Sequence, residues 1–483
     1  MLRSTEAKTV ILGAGPAGMA AAMELWKKKH PTVIIEKNTQ VGGLARTLEF
    51  KEGNDVFRTD IGPHRFFSKN QYLYDFIGDL LGEEWITVNR LTRFFIRGRL
   101  YSYPIEWKNA LKNLGISKSI HLLLDYMWER LKDVVYGKRV PRNFEEYTVR
   151  TFGRTLAELN MLNYTEKIWG LPCSELSVDW ADRIKGLSFW AAIKNTVLKR
   201  SHDSPKTLVD QFYYPEFGAG MVYEKIRERI SLDIPFLFSS QPTHIRHDAK
   251  RVTSVTITTP SGEVEIAPET VVTSIPIVDL LPLLQPLPPP EILAHAKALR
   301  HRSQVYLFIT VNKKQIFPDQ WIYLPDSHVP FGRVSEMKNF SSKMAPKNAT
   351  SLFIEFFCWE GDRVWEADAE TLLTMCLPFF EKWKWLTRED IRKSYIHRQS
   401  KVYPVYDLEY RGHIDAIKKY VDSFSNLYSI GRPGRFKYNN QDHSLEMGIM
   451  AATGIINHTA VDFDAVMSGK EYMESGAAPL KKK

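Results

Sequence analysis

The chain of 483 residues has only three cysteines, Cys173, Cys358 and Cys376, and no CxxC pair. That excludes a disulfide framework, makes zinc and iron–sulfur sites poor candidates, and fits a reducing, cytoplasmic setting. Long apolar runs are also missing. The most apolar stretch, Val271–Leu287, is broken by Asp279 and three prolines, so it cannot cross a bilayer as a regular helix. Neither sign of charge dominates: 65 Lys+Arg stand against 56 Asp+Glu, a net charge of +9. This dilute excess, without an aromatic-interleaved basic cluster, argues against a nucleic-acid partner and suits an anionic small molecule or surface. A 44% hydrophobic and 25% charged composition with 27 Gly and 26 Pro excludes disorder, collagen and coiled coil. At roughly 150 residues per domain the length suggests about three units.

Thr9 to Met23 is uncharged behind Lys8 and mimics a signal-peptide core, but its glycines have a better explanation. Thr9–Leu12 reads as a buried strand and Met19–Lys29 as a helix, with Gly13-Ala-Gly15-Pro-Ala-Gly18 between them. A second strand, Thr32–Ile35, ends at Glu36. In such a βαβ unit Gly13 makes the tight turn, Gly15 admits a pyrophosphate and Gly18 packs helix on strand. Glu36 is placed to accept from a ribose hydroxyl, and the helix N-terminus attracts the phosphates. Gly42-Gly43 and Arg46 follow Glu36. This pattern resembles the amine-oxidase-like branch of the glutathione-reductase-like flavoproteins and implies FAD rather than NAD.

Further on, Phe94–Tyr103 reads as a hairpin around Gly98, and Trp107–Gly137 and Phe144–Leu162 as helical stretches. The basic amphipathic part, 117–135, is expected to pack in a bundle; docking to a membrane is the alternative. Arg251–Val272 reads as a hairpin around Thr259–Gly262, and Val271–Pro276 as a strand returning to the first sheet. Val305–Val311 and Leu352–Phe357 suggest a separate antiparallel layer. Leu427–Gly431 reads as a strand, followed by a helix over Leu445–Asn457 that Asp442 or Ser444 can cap. The N-terminus of that helix suits the electron-rich end of a reduced flavin.

Several longer motifs carry a more specific likeness. They are Gly431-Arg-x-Gly-x-x-x-Tyr438, Asn440-Gln-Asp-His-Ser-Leu445, Tyr164-Thr-x-Lys-x-Trp169, Trp180-x-x-Arg183, Trp321-x-Tyr323, Pro330-Phe-x-Arg333 and Tyr403-Pro-x-x-x-Leu408-Glu409. With them the chain resembles the UDP-galactopyranose mutases, more the eukaryotic-type branch than the short bacterial one, up to about residue 460.

The resemblance implies an isomerase in which reduced FAD, through N5 as nucleophile, interconverts pyranose and furanose forms of a nucleotide-diphospho-sugar without net redox. NAD(P)H is a candidate electron donor. It further implies diphosphate clamping by Arg183 and Arg333, with Tyr323, Tyr403 and Tyr438 bonding phosphates. His64 would stand beside the flavin, and Tyr103 and Trp169 would contact substrate. Gly62, Gly431, Arg432, Asp442 and Ser444 join Gly13, Gly15, Gly18, Glu36, Gly43 and Arg46 as cofactor-binding candidates. Read singly, these arginines could be surface residues and these tyrosines core.

Two departures from the family stand out. Pro63 replaces a glycine before His64, which removes a backbone donor, and Ile105-Glu106 stand where the family carries a uracil-reading Phe-Gln. Glu106 cannot donate to a uracil carbonyl, which leaves the base open. The alternative is an FAD-dependent oxidoreductase of the amine oxidase, phytoene desaturase or protoporphyrinogen oxidase type.

The expected fold is α/β: a discontinuous Rossmann-like FAD domain (1–70, 205–290, 425–470), an antiparallel-sheet substrate domain (71–104, 300–424), a helical domain (105–204) and a tail (471–483). A nucleotide sugar for cell-surface polysaccharide biosynthesis is the expected partner. No stable membrane insertion is expected, and a homo-oligomer is compatible with the sequence.

Overall fold

The computed structural model describes residues 6–103, 113, 115–137, 140–183 and 211–466. The expected βαβ start is present. β1 (Thr9–Leu12), α1 (Pro16–Lys27) and β2 (Thr32–Ile35) follow one another, and every residue of both strands is buried. These runs of β-branched and aliphatic residues suit a parallel sheet covered on both faces. The sheet has five strands in the order Leu427–Ser429, Thr270–Thr273, β1, β2, Phe236–Leu237, all parallel.

Strand order reverses at β1, so the loops leaving β1 and its two neighbours on the other side open at one edge, where α/β sheets bind ligands. The Gly13–Gly18 loop follows β1, Ser274 follows one neighbour and Gly431 the other. The loops touch: a Cβ on Gly431 would lie 3.2 Å from Ala17 Cβ. Behind them α1 and the helix Gln441–Asn457 pack without side chains between, because a Cβ on Gly448 would meet the Ala17 carbonyl at 2.2 Å.

A second, seven-stranded sheet runs Ile391–Pro404, His301–Val311, Thr350–Cys358, Arg333–Glu336, Trp321–Tyr323, Thr92–Ile96, Arg99–Ser102. All its neighbouring pairs are antiparallel except Trp321–Tyr323 with Thr92–Ile96. The expected hairpins at Gly98 and at Thr259–Gly262 both form. The Rossmann-like unit, the antiparallel layer and a helical insertion thus bear out the α/β reading.

The helical segment corrects two expectations. Phe144–Leu162 is not one helix: Gly153, at φ +81°, ends Phe144–Phe152, and the chain restarts at Arg154 with a π-type turn over Ala157–Leu162. A left-handed glycine ends helices because it bears no Cβ penalty. The helix Ile116–Val135 packs on the following helical segment through Leu122, which is buried with Phe152, but leaves most of its apolar stripe outward, with Leu124, Met127, Trp128 and Leu131 all at least half exposed. The tail 471–483 and Ile105-Glu106 lie outside the described residues. Cys173, Cys358 and Cys376 are buried and unbridged, and burial pushes the Cys358 thiol up to about 12, so these are inert packing residues.

Candidate functional site

The glycine fingerprint makes the expected cradle. Gly13 sits at φ +102°, and a Cβ on Gly18 would fall 2.0 Å from the Gly13 carbonyl. Gly15 caps α1 without a side chain, so the N–H groups of the first turn have no side-chain acceptor. Glu36 is buried at the end of β2. It accepts from the Ala14 N–H at 2.8 Å and from both the Asn38 N–H and side-chain amide. Gly43 comes up against Gly15, since its Cβ would lie 3.0 Å from Gly15 Cα.

Arg46, buried beside this pair, donates to Gly43 O (3.2 Å) and His397 Nε2 (3.2 Å) and pairs with no carboxylate among the described residues. The Glu36 carboxylate acts on it only through space, so a diphosphate would supply a direct partner. Burial, then Arg46, pushes His397 down to about 4, so it accepts as a neutral ring.

His64 follows Gly62, which is at φ +109°. Its Nε2 lies 2.9 Å from Leu44 O and 3.0 Å from Ile61 O, so it is protonated and Nδ1 is the acceptor. Burial, then Arg432, pushes His64 down to about 4. Pro63 brings no N–H, and the turn closes instead through the His64 N–H to Gly62 O at 2.9 Å.

Next to His64 two arginines stand among tyrosines. Arg333 donates from Nε and Nη2 to the two oxygens of Glu355, each at 2.6 Å, and its guanidinium lies 5.9 Å from the Tyr323 ring centre. Tyr323 in turn packs on Tyr103 and Tyr164, with centroids 5.6 and 5.4 Å away. Arg432 lies 4.7 Å from the ring centre of Tyr438 and 5.6 Å from that of Tyr403, and these two rings stack at 5.2 Å. Its donors go to the carbonyls of Asn439 and Val402, and it has no carboxylate partner among the described residues. Burial raises the hydroxyl pKa values of Tyr164 and Tyr403, so both remain donors at any working pH. Trp169 is fully buried behind the pair, 6.0 Å from Tyr403 and edge-on to Trp180 at 4.7 Å.

The C-terminal helix starts at Gln441, four residues earlier than expected. Neither Asp442 nor Ser444 caps it. Asn440 is the cap, its N–H reaching His443 Nδ1 at 3.3 Å, while Ser444 Oγ donates to Asn439 Oδ1 at 3.2 Å. Burial pushes Asp442 up to about 7, and its Oδ1 receives no hydrogen bond. The Asn439 side-chain N–H₂ is also buried without a partner. Arg183 closes the short helix Val178–Arg183, but its side chain lies outside the described residues.

The donor set fits FAD. The set comprises a backbone cradle that Cβ atoms would fill, a buried arginine without an ion pair, a buried carboxylate at the strand end and, in the loop after the strand Leu427–Ser429, an orphaned amide. Glu355, Tyr164, His397 and Asn439 belong to this site, as does Tyr306, whose ring stacks on His397 with centroids 6.0 Å apart, and none of them was singled out from sequence. Only Tyr164, inside a quoted motif, offered a signal.

The family of NAD(P)-binding Rossmann-like domains matches residues 11–80. The chain is 26% identical over 175 residues to the "Probable UDP-galactopyranose mutase" of Klebsiella pneumoniae, covering 36% of this chain and 44% of that protein. It is 25% identical to the L-amino-acid oxidase BmooLAAO-I of Bothrops moojeni, covering 68% of this chain and 67% of the relative. A crystal structure of reduced UDP-galactopyranose mutase superposes with a TM-score of 0.82 at 25% identity, covering 98% of both chains. The likeness read from the motifs is therefore borne out, with a mutase and an oxidase among the relatives. Among the described residues no helix is long and apolar enough to cross a membrane.

Proposed function

We propose that this chain, UDP-galactopyranose mutase-like in motif and fold, interconverts the pyranose and furanose forms of a nucleotide-diphospho-sugar without net redox. The observation that carries the reading is the polar cluster beside His64, in which Arg333 and Arg432 stand among Tyr103, Tyr164, Tyr323, Tyr403 and Tyr438. An amine or a polyene offers this cluster no anion and an amino acid only one carboxylate, whereas a diphosphate leaving group that gains charge can occupy both arginines.

Gly13, Gly15, Gly18, Glu36, Gly43, Arg46, Gly62, Gly431, Arg432 and Asp442 would hold FAD. Reduced flavin supplies a nucleophilic N5 at the anomeric carbon, with NAD(P)H as its candidate reductant. The residues of the chain do the rest. Arg432, without a carboxylate partner, is kept for the cofactor, and its charge adds to the pull on the substrate diphosphate. Arg333 offers Nη1 and a fixed plane while Glu355 holds its other two donors. The Tyr403 and Tyr438 hydroxyls donate to phosphate oxygens. Neutral His64 presents Nδ1 as the acceptor for a ring N–H of the reduced cofactor. Arg183 is assigned to the second phosphate, and Ile105-Glu106 to reading the base. A cytoplasmic place in cell-surface polysaccharide synthesis follows from such a product.

The likeness to L-amino-acid oxidases over two thirds of the chain keeps one second reading, a net oxidation. Protein reduced anaerobically with dithionite and mixed with UDP-, GDP- and dTDP-sugars separates the two. Interconversion that needs reduced flavin but consumes no stoichiometric reductant supports the mutase and names its base. No turnover, together with oxygen-dependent peroxide release from an L-amino acid, an amine or a polyene, moves the chain to the oxidase.

A further inference from the structure

Eight residues other than glycine have a left-handed backbone among the described residues, and six of them, Lys29, Arg97, Ser239, Ala249, Lys384 and His458, are exposed. Exposed turns and helix ends are the usual places for that conformation. The other two are Lys401, at φ +52° and half-buried, and Phe436, at φ +48° and buried. Left-handed backbone crowds a Cβ against the following carbonyl, and a residue as bulky as phenylalanine rarely adopts it. Lys401 stands two residues before Tyr403, and Phe436 two residues before Tyr438. These are the two rings that stack beside Arg432.

Both turns are braced from one stretch of strand. Where Ile391–Pro404 pairs with His301–Val311, Tyr403 lies opposite Arg302 and Gln399 opposite Gln304. Ser400, Lys401 and Val402 therefore face the single residue Ser303, a bulge that bends the strand just before Tyr403. Ser303 Oγ accepts from the Lys401 N–H at 3.1 Å and donates to Glu360 at 3.0 Å. The Lys401 ammonium reaches Asp279, which follows the strand Thr270–Thr273 of the parallel sheet, so the bulge is tied to both layers. In the loop after Gly431 the Phe436 N–H donates to Pro433 O at 3.3 Å. The Phe436 ring meets His301 edge-on at 4.8 Å, and beyond it the Tyr438 N–H donates to the Tyr406 hydroxyl at 2.7 Å. The outcome is two rings only 9° from parallel, with Tyr438, Arg333 and Arg432 all within electrostatic reach of the Tyr403 hydroxyl.

We propose that Lys401 and Phe436 are positioning residues, whose left-handed turns aim the Tyr403 and Tyr438 hydroxyls together at the substrate diphosphate. The inference rests on the reading of those two tyrosines as diphosphate ligands. Glycine would make either turn without strain. Lysine and phenylalanine make it because Asp279, Ser303 and His301 hold them there, and strain over-determined by its surroundings collects where a site is pre-organised. A phenol fixed by its backbone donates to an anion without first being ordered.

The test compares Lys401→Gly, which keeps the left-handed turn and loses the ammonium, with Lys401→Ile, whose β-branched side chain opposes the turn. Full-length protein loaded with FAD is titrated in a calorimeter with UDP, GDP and inorganic pyrophosphate, with melting temperature and flavin absorbance as checks on folding. Lys401→Ile should weaken binding about tenfold, the worth of one hydrogen bond to a charged group, while Lys401→Gly stays close to wild type. Phe436→Ile should weaken it more than Phe436→Leu, which loses the same ring contact without β-branching. Ser303→Ala removes the oxygen that holds the Lys401 N–H, should also weaken binding, and decides the matter where Lys401→Ile does not fold. Either pair behaving alike overturns the proposal, because the turn is then not what matters, and so does wild-type affinity in Ser303→Ala. Tyr403→Phe/Tyr438→Phe tells that failure from a failure of the diphosphate reading. Should this double variant bind like wild type, or wild type bind none of the three probes, the diphosphate reading falls and the inference with it.

Discussion

Arg333 and Glu355 face one another across neighbouring antiparallel strands as direct register partners, joined by two 2.6 Å hydrogen bonds, with the Glu355 side chain wholly buried. Gln304 donates to Glu355 Oε2 at 3.1 Å and receives the Tyr306 hydroxyl at 2.6 Å, so the carboxylate is fixed from behind as well. The arginine raised as a diphosphate clamp therefore enters the site already half neutralised. That sets both its orientation and its pull on an anion.

Replacing Glu355 with Gln keeps the shape and removes the counter-charge. Breaking a buried pair by removing one partner costs about 3–5 kcal/mol, so urea unfolding should show a loss of that order. The freed arginine should at the same time bind nucleoside diphosphate more tightly in calorimetry. Unchanged affinity with lowered stability would mean Arg333 is structural and not a phosphate ligand.

Gly15→Ala and Gly18→Ala should part company. A Cβ on Gly15, at φ −76°, meets nothing nearer than Gly43 Cα at 3.9 Å, whereas on Gly18 it strikes the Gly13 carbonyl at 2.0 Å. Gly15→Ala should stay folded, within about 1 kcal/mol for an alanine at a helix cap, yet purify with little flavin because the pyrophosphate needs that space. Gly18→Ala should lose fold and flavin together. A yellow Gly15→Ala protein would place the cofactor elsewhere.

His301 gives a pH signature away from the site. Burial, then the nearby Lys401, pushes it down to about 4, and its Nε2 has no hydrogen-bond partner. Below pH 6.5 the unfolded chain takes up a proton that the folded chain refuses until about pH 4. Stability is therefore lost as pH falls through that window, by up to about 1.4 kcal/mol per unit. In His301→Leu the drop in unfolding free energy between pH 6.5 and 4.5 should shrink accordingly. An unaltered slope would show that the ring titrates normally.

Lys167 straps the loop that leads to Arg333. Its ammonium donates to Leu324 O at 2.6 Å, Asp326 O at 2.7 Å and Phe331 O at 3.3 Å, and burial lowers its pKa to about 7. Lys167→Met strands three carbonyls, each bond to a charged donor being worth about 1.5–3 kcal/mol at most. Melting temperature should fall and KM for the nucleotide sugar should rise more than kcat falls. A variant matching wild type in both would show that the loop holds itself.

What the sequence determined by itself is local. The turn, cradle and helix start over residues 9–46 follow from which glycines have no Cβ and from two short runs of β-branched residues, all within one supersecondary unit. The hairpins at Gly98 and Gly262 are likewise written in adjacent residues. Tertiary structure alone decided the partners. Glu355 lies in the run Leu352–Phe357, which reads only as a strand, and nothing in that run says which residue of which strand it will oppose. His397 and Arg46 are 351 residues apart and meet by sheet packing. Asn440 won the helix cap over Asp442 and Ser444 because burial and the bond to Asn439 placed those two elsewhere. The 3.6-residue period of Ile116–Val135 announced an apolar face but not its direction. Periodicity fixes which residues share a side of a helix, whereas the choice of side to bury depends on what the rest of the chain brings against it, here Thr155 and Arg150 meeting its acids.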